Sequence, residues 1–311
     1  MKKSLGMVII RYGSGKEILP LIKQINTLIK STPNLSLSLY IVNNGPGNFK
    51  LSYQPTAPNF TYHIIGDPYN RGFAHGANVG LEIAYSNNHH YYIVANTDII
   101  INQPDFFIQL IKPFKHNPSI GILSPKIYFA PGYEFHKDKY TPKQKGRVIW
   151  YAGGVINWQN VYAFHKGVDQ VDTGQFNQIS ETDFATGCFL VLSHKALKLT
   201  RGFDARYFLY FEDTDLSQRA KLQGLKVIYN PKAYLYHKNA QLTEGPGSKL
   251  HFYYQERNRL IFGLTHAPLK TKLALVKNVI IPYLLSSQKR KIVVDAFDLL
   301  MKPPTYAQIT N

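Results

Sequence analysis

Residues 5–44 read LGMVIIRYGSGKEILPLIKQINTLIKSTPNLSLSLYIVNN, and this stretch decides the fold. Residues 5–11 are a near-continuous apolar run bounded by Gly13-Ser14-Gly15, the pattern of a strand buried on both faces. Next, Ile18, Leu21, Ile22, Ile25, Leu28 and Ile29 recur at helical spacing over residues 17–30 and form one apolar stripe. A second strand over 37–42 stops at Asn43-Asn44-Gly45-Pro46. The rhythm continues with a strand over 61–65, a helix over 74–86 and a strand over 91–95. Such alternation predicts a parallel, helix-covered sheet. Ligands of such sheets sit beyond the carboxyl ends of strands, so the loops after Arg11, Val42, Ile65 and Ala95 are where chemistry is expected.

Further along, the pattern breaks between about residues 128 and 146 into PGYEFHKDKYTPKQKG, either a flexible lid or a solvated excursion. Order resumes at 148–155, and a helix over 216–223 leads into a strand over 226–229. From residue 245 the chain reads as helical and basic (253–264, 269–285 and 292–300), with ten Lys and Arg against three acids.

At 311 residues the chain makes one large domain or two modest ones. Its single cysteine, Cys188, excludes a disulfide framework and a multi-cysteine zinc site, and fits a reducing cytosol. The apolar run at 7–10 is too short for a signal peptide core, and no window approaches the roughly 20 apolar residues of a spanning helix. A soluble or surface-bound cytoplasmic protein is expected. The balance of 36 basic against 19 acidic residues gives a net charge of +17. Nucleic acid, an anionic membrane surface and phosphorylated small molecules compete to explain it. No nucleic-acid-binding signature accompanies the charge, so no nucleic-acid partner is expected. The 22 Tyr and 18 Phe suit either ordinary packing or a sugar-binding surface.

Three stretches carry chemistry. Gly72, Gly76 and Gly80 lie four apart at a strand-to-helix junction, where backbone approaches a ligand closely or simply turns. The apolar strand ending at Ala95 runs into Asn96-Thr97-Asp98, whose two oxygen-bearing side chains suit a divalent cation on a diphosphate, or a local turn. Four acids, Asp204, Glu212, Asp213 and Asp215, stand among aromatic residues, where desolvation raises a carboxylate's pKa and makes a general base. Asp215 also reads as a cap before the helix. His237 closes a strand and is either structural or part of a metal shell.

The order NRGFAHGANVG (70–80), NTD (96–98), GILSPKI (121–127), TGCFLVLSHKAL (186–197), GFDARYFLYFEDTDLSQRAKLQGLKVIYNP (202–231), His237 and YYQERNRL (253–260) resembles the inverting glycosyltransferases of family 2, in particular a bacterial rhamnosyltransferase-like branch. The resemblance covers about residues 5–260 and implies the GT-A fold, an α/β architecture with a Rossmann-like mixed sheet flanked by helices. It implies a catalytic domain over 1–244, with a nucleotide-binding half to about 125 and an acceptor half beyond it, and a helical extension over 245–311.

On the same resemblance, Tyr12 and Asn43 hold the nucleotide base, and Arg71, Gly72, Gly76 and Asn78 pass beside the nucleoside. Asn43 and Asn96 stand where the family commonly has Asp. Asp98 and His237 would bind Mg²⁺ or Mn²⁺, with Asn96 nearer the ribose or an outer-shell water. Asp213 would be the base and Glu212 would hold the acceptor or the site geometry; Arg257 would touch the diphosphate or make a structural ion pair. Trp158, His165 and Asp172 are acceptor or donor-sugar contacts, or loop scaffolding.

The implied reaction moves a sugar from a nucleoside diphosphate, dTDP-L-rhamnose first and UDP-hexose or UDP-galactofuranose second, to a bacterial surface glycan such as O-antigen or capsule. The acceptor could be undecaprenyl-diphosphate-linked, the enzyme peripheral at the inner face of the cytoplasmic membrane, and the assembly a homodimer. The alternative from another class is a non-catalytic nucleotide-sugar-binding or assembly subunit.

Overall fold

Strands and helices alternate as expected in the computed structural model, which describes residues 2–67, 69–239 and 248–309. β1 (Lys3–Arg11), α1 (Ile18–Lys30), β2 (Leu35–Asn44), β3 (Phe60–Asp67), α2 (Phe73–Ser86) and β4 (Tyr91–Ala95) come first. β5 (Ile99–Ile100), α3 (Phe106–His116) and β6 (Ile120–Phe129) follow, then the short strands β7 (Ile149–Tyr151), β8 (Gly154–Asn157), β9 (Tyr162–His165) and β10 (Ser180–Glu181). β11 (Phe189–Ser193), α4 (His194–Thr200), α5 (Glu212–Leu222) and β12 (Lys226–His237) complete the sheet and its cover. α6 (Lys249–His266), α7 (Leu269–Leu275), α8 (Ile281–Leu285) and α9 (Arg290–Met301) form the tail.

The main sheet is ordered β10-β12-β6-β11-β4-β1-β2-β3. β3, β2, β1 and β4 are parallel, with Met7 opposite both Leu39 and Ile93. Alternate side chains of β1 serve opposite faces: Leu5, Met7 and Ile9 join the core that holds α1 and α3, while Val8 and Ile10 join the one that holds α2. This two-sided burial is why the strand reads as a continuous apolar run. α2 presses close on β1 at Gly80, where an added Cβ would stand 2.3 Å from Val8 Cγ1.

Beyond β4 the sheet is mixed, as the family resemblance implies and simple alternation does not. β11 lies antiparallel between β4 and β6, and β12 runs parallel to β6. The cause is the path of the chain. β6 ends at the carboxyl edge of the sheet, and the chain re-enters at Phe189, opposite Ala95, so the next strand must run back.

Several local expectations change. The 131–146 segment is tied down: Tyr140 is buried with Phe129 and Val148, and its hydroxyl donates to the Asp169 carbonyl at 2.8 Å. α5 starts at Glu212, four residues early, which puts Asp215 inside the helix rather than at its cap. β12 runs on to His237 past Pro231, with a register shift between Asn230 and Tyr234 where proline has no N–H for the ladder.

In the tail, Leu260, Ile261 and Phe262 of α6 are buried in the same core as β1 and β4. The expected boundary at 244/245 lies outside the described residues. Among the described residues no helix is long and apolar enough to cross a membrane.

Candidate active site

A cleft of about 620 Å³ opens at the carboxyl ends of the parallel strands. Tyr12 after β1, Asn44 at the end of β2, Gly72 before α2 and Asn96, Thr97 and Asp98 after β4 line it. Gly187, Cys188, Glu212, Asp213 and His237 complete its floor and far wall.

Asp98 and His237, distant in sequence, meet through strand pairing. β5 lies antiparallel to the end of β12 with Ile99 opposite His237, and Lys238 N–H donates to the Asp98 carbonyl at 2.8 Å. The His237 Nε2 atom is then 3.2 Å from Asp98 Oδ1, with both residues about 5% exposed or less. The pair is close without being aligned for a hydrogen bond, and Asp98 Oδ1 and His237 Nδ1 have no hydrogen-bond partner among the described residues. Burial disfavours a charge on His237, yet Cys188 and Asp98 beside it raise its pKa; burial also raises the Cys188 thiol and keeps it neutral, so Asp98 supplies the pull. A buried carboxylate and imidazole with unused polar atoms suit a divalent cation, which would take the place of the proton that Asp98 favours on His237. Among the described residues no group of three or more His, Cys, Asp or Glu could hold a metal ion, so a cation on this pair would need its other ligands from outside the protein.

The acid pair sits in the first turn of α5. Asp213 Oδ2 accepts from Gly187 N–H at 2.7 Å, and Oδ1 accepts from Thr214 N–H at 2.6 Å and Thr214 Oγ1 at 3.1 Å. Its neighbour Glu212 is 5% exposed, and Oε2 has no hydrogen-bond partner among the described residues. Burial, then the charges of Asp213 and Asp215, push the Glu212 pKa well above the ordinary carboxylate range. Burial also raises Asp213, but the Gly187 and Thr214 hydrogen bonds oppose it. Two adjacent buried carboxylates do not both ionise readily. The Gly187 and Thr214 donors favour the ionised form of Asp213 over that of Glu212.

The loop delivering this pair is strained. Phe208, Tyr210 and Phe211 adopt φ of 62°, 70° and 68° without being glycine. Asn258 on α6 holds it, with Nδ2 placed 2.7 Å from the carbonyl oxygens of Tyr207, Leu209 and Tyr210. Arg257 braces Asn258 Oδ1 at 2.9 Å and donates to the Tyr207 carbonyl at 2.9 Å. On the other side the Phe208 carbonyl accepts from Phe73 N–H at 2.7 Å; any Cβ at Gly72 would fall 2.5 Å from that oxygen.

Of the residues singled out in the sequence, Tyr12, Gly72, Asn96, Asp98, His165, Glu212, Asp213 and His237 line this cleft. The rest are elsewhere. Asn43 accepts from Arg11 and donates to the Gly47 carbonyl, while Arg71 lies over Tyr69. Gly76 packs against Ile10 and Asn44, and Asn78 clamps the backbone of Phe203. Trp158 stacks on Phe262, and Asp172 forms a buried ion pair with Lys126 at 2.6 Å. Arg257 is buried in the loop clamp. His165 donates through Nδ1 to the Trp150 carbonyl at 3.2 Å, and burial pushes its pKa down to about 4, which keeps it neutral.

Sequence reading missed Asn44, whose side chain accepts from Arg71 N–H and donates to the Gly72 carbonyl at 3.0 Å. Strand alternation carried the signal: Val42 faces the core that holds α2, so Asn44 does too and Asn43 does not. Trp150, edge-on to His237 at 4.7 Å, left no local signal.

A family model described as "Glycosyltransferase like family 2" matches residues 68–263. No curated protein matches the sequence. Among solved structures, the chain is similar to the crystal structure of GalNAc-T7 with UDP, GalNAc and Mn2+, at a TM-score of 0.56 and 12% identity. That superposition covers 95% of this chain and 54% of the other, so the chain spans about half the length of that protein. The mannosyltransferase PcManGT from Pyrobaculum calidifontis in complex with GDP-Man and Mn2+ superposes at a TM-score of 0.49 and 12% identity, over 96% of this chain and 74% of the other.

Proposed function

Because the chain belongs to the glycosyltransferase like family 2, we propose that it is an inverting, divalent-cation-dependent transferase of sugars from nucleoside diphosphates. The observation that carries this reading is the convergence of Asp98, His237 and Asp213 on one cleft at the carboxyl ends of the strands. Asp213 takes the proton from the acceptor hydroxyl as its oxygen bonds to the anomeric carbon. The bond from that carbon to the diphosphate oxygen breaks on the opposite face, the nucleoside diphosphate departs, and the configuration inverts. One ionised carboxylate suffices for a single displacement, which agrees with the raised pKa of Glu212 beside it. Asp98 and His237 would hold the cation, whose chemistry is to neutralise charge on the departing diphosphate. Mn²⁺ and UDP in the GalNAc-T7 crystal structure support that choice of cofactor and donor class.

We assign dTDP-L-rhamnose as the first donor to test and UDP-hexose or UDP-galactofuranose as the second. The acceptor would be a bacterial surface glycan presented at the cytoplasmic face of the inner membrane. The test is a donor screen by thermal shift in Mn²⁺, followed by transfer with the best donor. Stabilisation by a nucleoside diphosphate sugar that disappears with chelator supports the reading; no stabilisation by any dTDP-, UDP- or GDP-sugar overturns it.

A further inference from the structure

The tail presents a surface that the transfer reaction does not use. α7, a π turn over Val276–Ile280 and α8 run on as one rod, docked on α6 by its inner face. Leu275 and Ile280 are buried there, Leu275 lies against Gly263, and the Tyr283 hydroxyl donates to Glu256 at 2.8 Å. The outer face is apolar and uncovered: Leu269, Leu273, Val276, Ile281, Leu284 and Leu285 are exposed, Leu285 to 83%. Their spacing is helical up to Val276, and Ile281 falls five residues later. In an uninterrupted α-helix that step would turn Ile281 away from the stripe. The π turn, which closes i→i+5, brings it back onto the same line and keeps the stripe continuous.

Cations border that stripe. At helical spacing Lys272 falls on one side of Leu269, Leu273 and Val276, and Lys270 and Lys277 fall on the other. No acid occurs between Glu256 and Asp295. The acids of the tail already have basic partners: Glu256 with Arg259, Asp295 with Lys291 and Asp298 with Lys302. A second copy of this rod would set the same lysines against one another. An anionic lipid surface accepts both the apolar stripe and its basic borders, because lysine stems snorkel to the phosphates while the leucines enter the acyl boundary.

We propose that the outer face of the α7–α8 rod lies in the plane of an anionic bilayer surface and docks the protein there. The proposal stands apart from the transferase reading, since it uses neither the cleft nor a donor.

The experiment is co-sedimentation of the full chain with phosphatidylglycerol-containing vesicles and with pure phosphatidylcholine vesicles, alongside sedimentation of the protein alone. Binding to the anionic vesicles is expected, weakening as salt rises from about 0.1 M to about 0.5 M. The triple variant K270Q/K272Q/K277Q should lose about a hundredfold in partitioning, roughly a factor of five per lysine. The variant L273S/L285S alters only exposed side chains, so it should keep the wild-type circular dichroism and thermal midpoint yet lose binding. Failure to bind anionic vesicles, binding unchanged in both variants, or a dimer of the protein alone that L273S/L285S dissociates would each overturn the proposal. The vesicles carry no glycan and no transfer is measured, so any of these results leaves the reaction proposed above untouched.

Discussion

Asp213 and Asp215 stand two residues apart on α5 and live in opposite circumstances. Asp215 is fully partnered: Arg219 Nε at 2.7 Å, His266 Nε2 at 2.7 Å and the Tyr207 hydroxyl at 3.3 Å. Despite burial, Arg219 and His266 hold its pKa below the ordinary value. Asp213 looks into the cleft beside Glu212, with no cation paired to it among the described residues and only N–H and hydroxyl donors to support its charge. One acid is paired with Arg219 and anchors α5 to α6; the other has only neutral donors and no paired cation among the described residues. Burial alone does not separate the two. What separates them is whether the protein has already satisfied the charge.

Substitutions can break that contrast from either side. Asp213→Asn keeps the shape but removes the proton acceptor, and its single amide oxygen can accept from Gly187 N–H or from Thr214 N–H but not both; turnover should fall by about 10²–10⁴-fold. Donor binding should stay near wild type; steady-state kinetics with calorimetry checks this. Asp215→Asn should do the reverse, costing about 3–5 kcal/mol of stability because Arg219 loses its counter-charge in a buried setting. Denaturant titration measures it. Asn258→Ala removes the group beside three carbonyls of the strained 207–211 loop and should cost about 2 kcal/mol. If the clamp positions Asp213, it should also lower kcat while leaving KM for the donor nearly unchanged.

The smallest effect concerns pH. Glu212 binds its proton more tightly in the folded chain than in the unfolded one, so it contributes stability at low pH that is lost as pH rises from about 4 towards its raised native value. Asp215 has the opposite sign, stabilising above about 4 and losing that contribution as pH falls through its lowered native value. Glu212→Gln should therefore flatten the decline of stability on the alkaline side, and Asp215→Asn should flatten the acid-side loss. Chemical denaturation across pH 3 to pH 9, a range of about six units around the reference values, distinguishes the two.

Much of this was legible in the sequence. The first strands and helices announced themselves because two-sided burial writes continuous apolar runs and α1 writes a stripe. The family was readable from motif order, and residues 96–98, 212–213 and 237 are brought to one cleft. Less legible were features decided by partners far away. Nothing near Asp98 predicts that Ile99 pairs with His237, and nothing near Arg257 and Asn258 predicts that they grip a loop some fifty residues earlier. Asp172 read as either a contact in an acceptor loop or loop scaffolding, and its buried ion pair with Lys126 is a pairing no local pattern carries. β11 escaped because strand direction depends on where the chain re-enters the sheet, not on its own residues.

The most direct test measures donor binding and transfer together in Asp98→Asn, His237→Ala and Asp213→Asn, each with Mn²⁺ and with chelator. The proposed roles predict that cation-dependent donor binding is lost in the first two and kept in the third, with transfer lost in all three. Donor held equally well by all three variants, or normal transfer in Asp213→Asn, would contradict them.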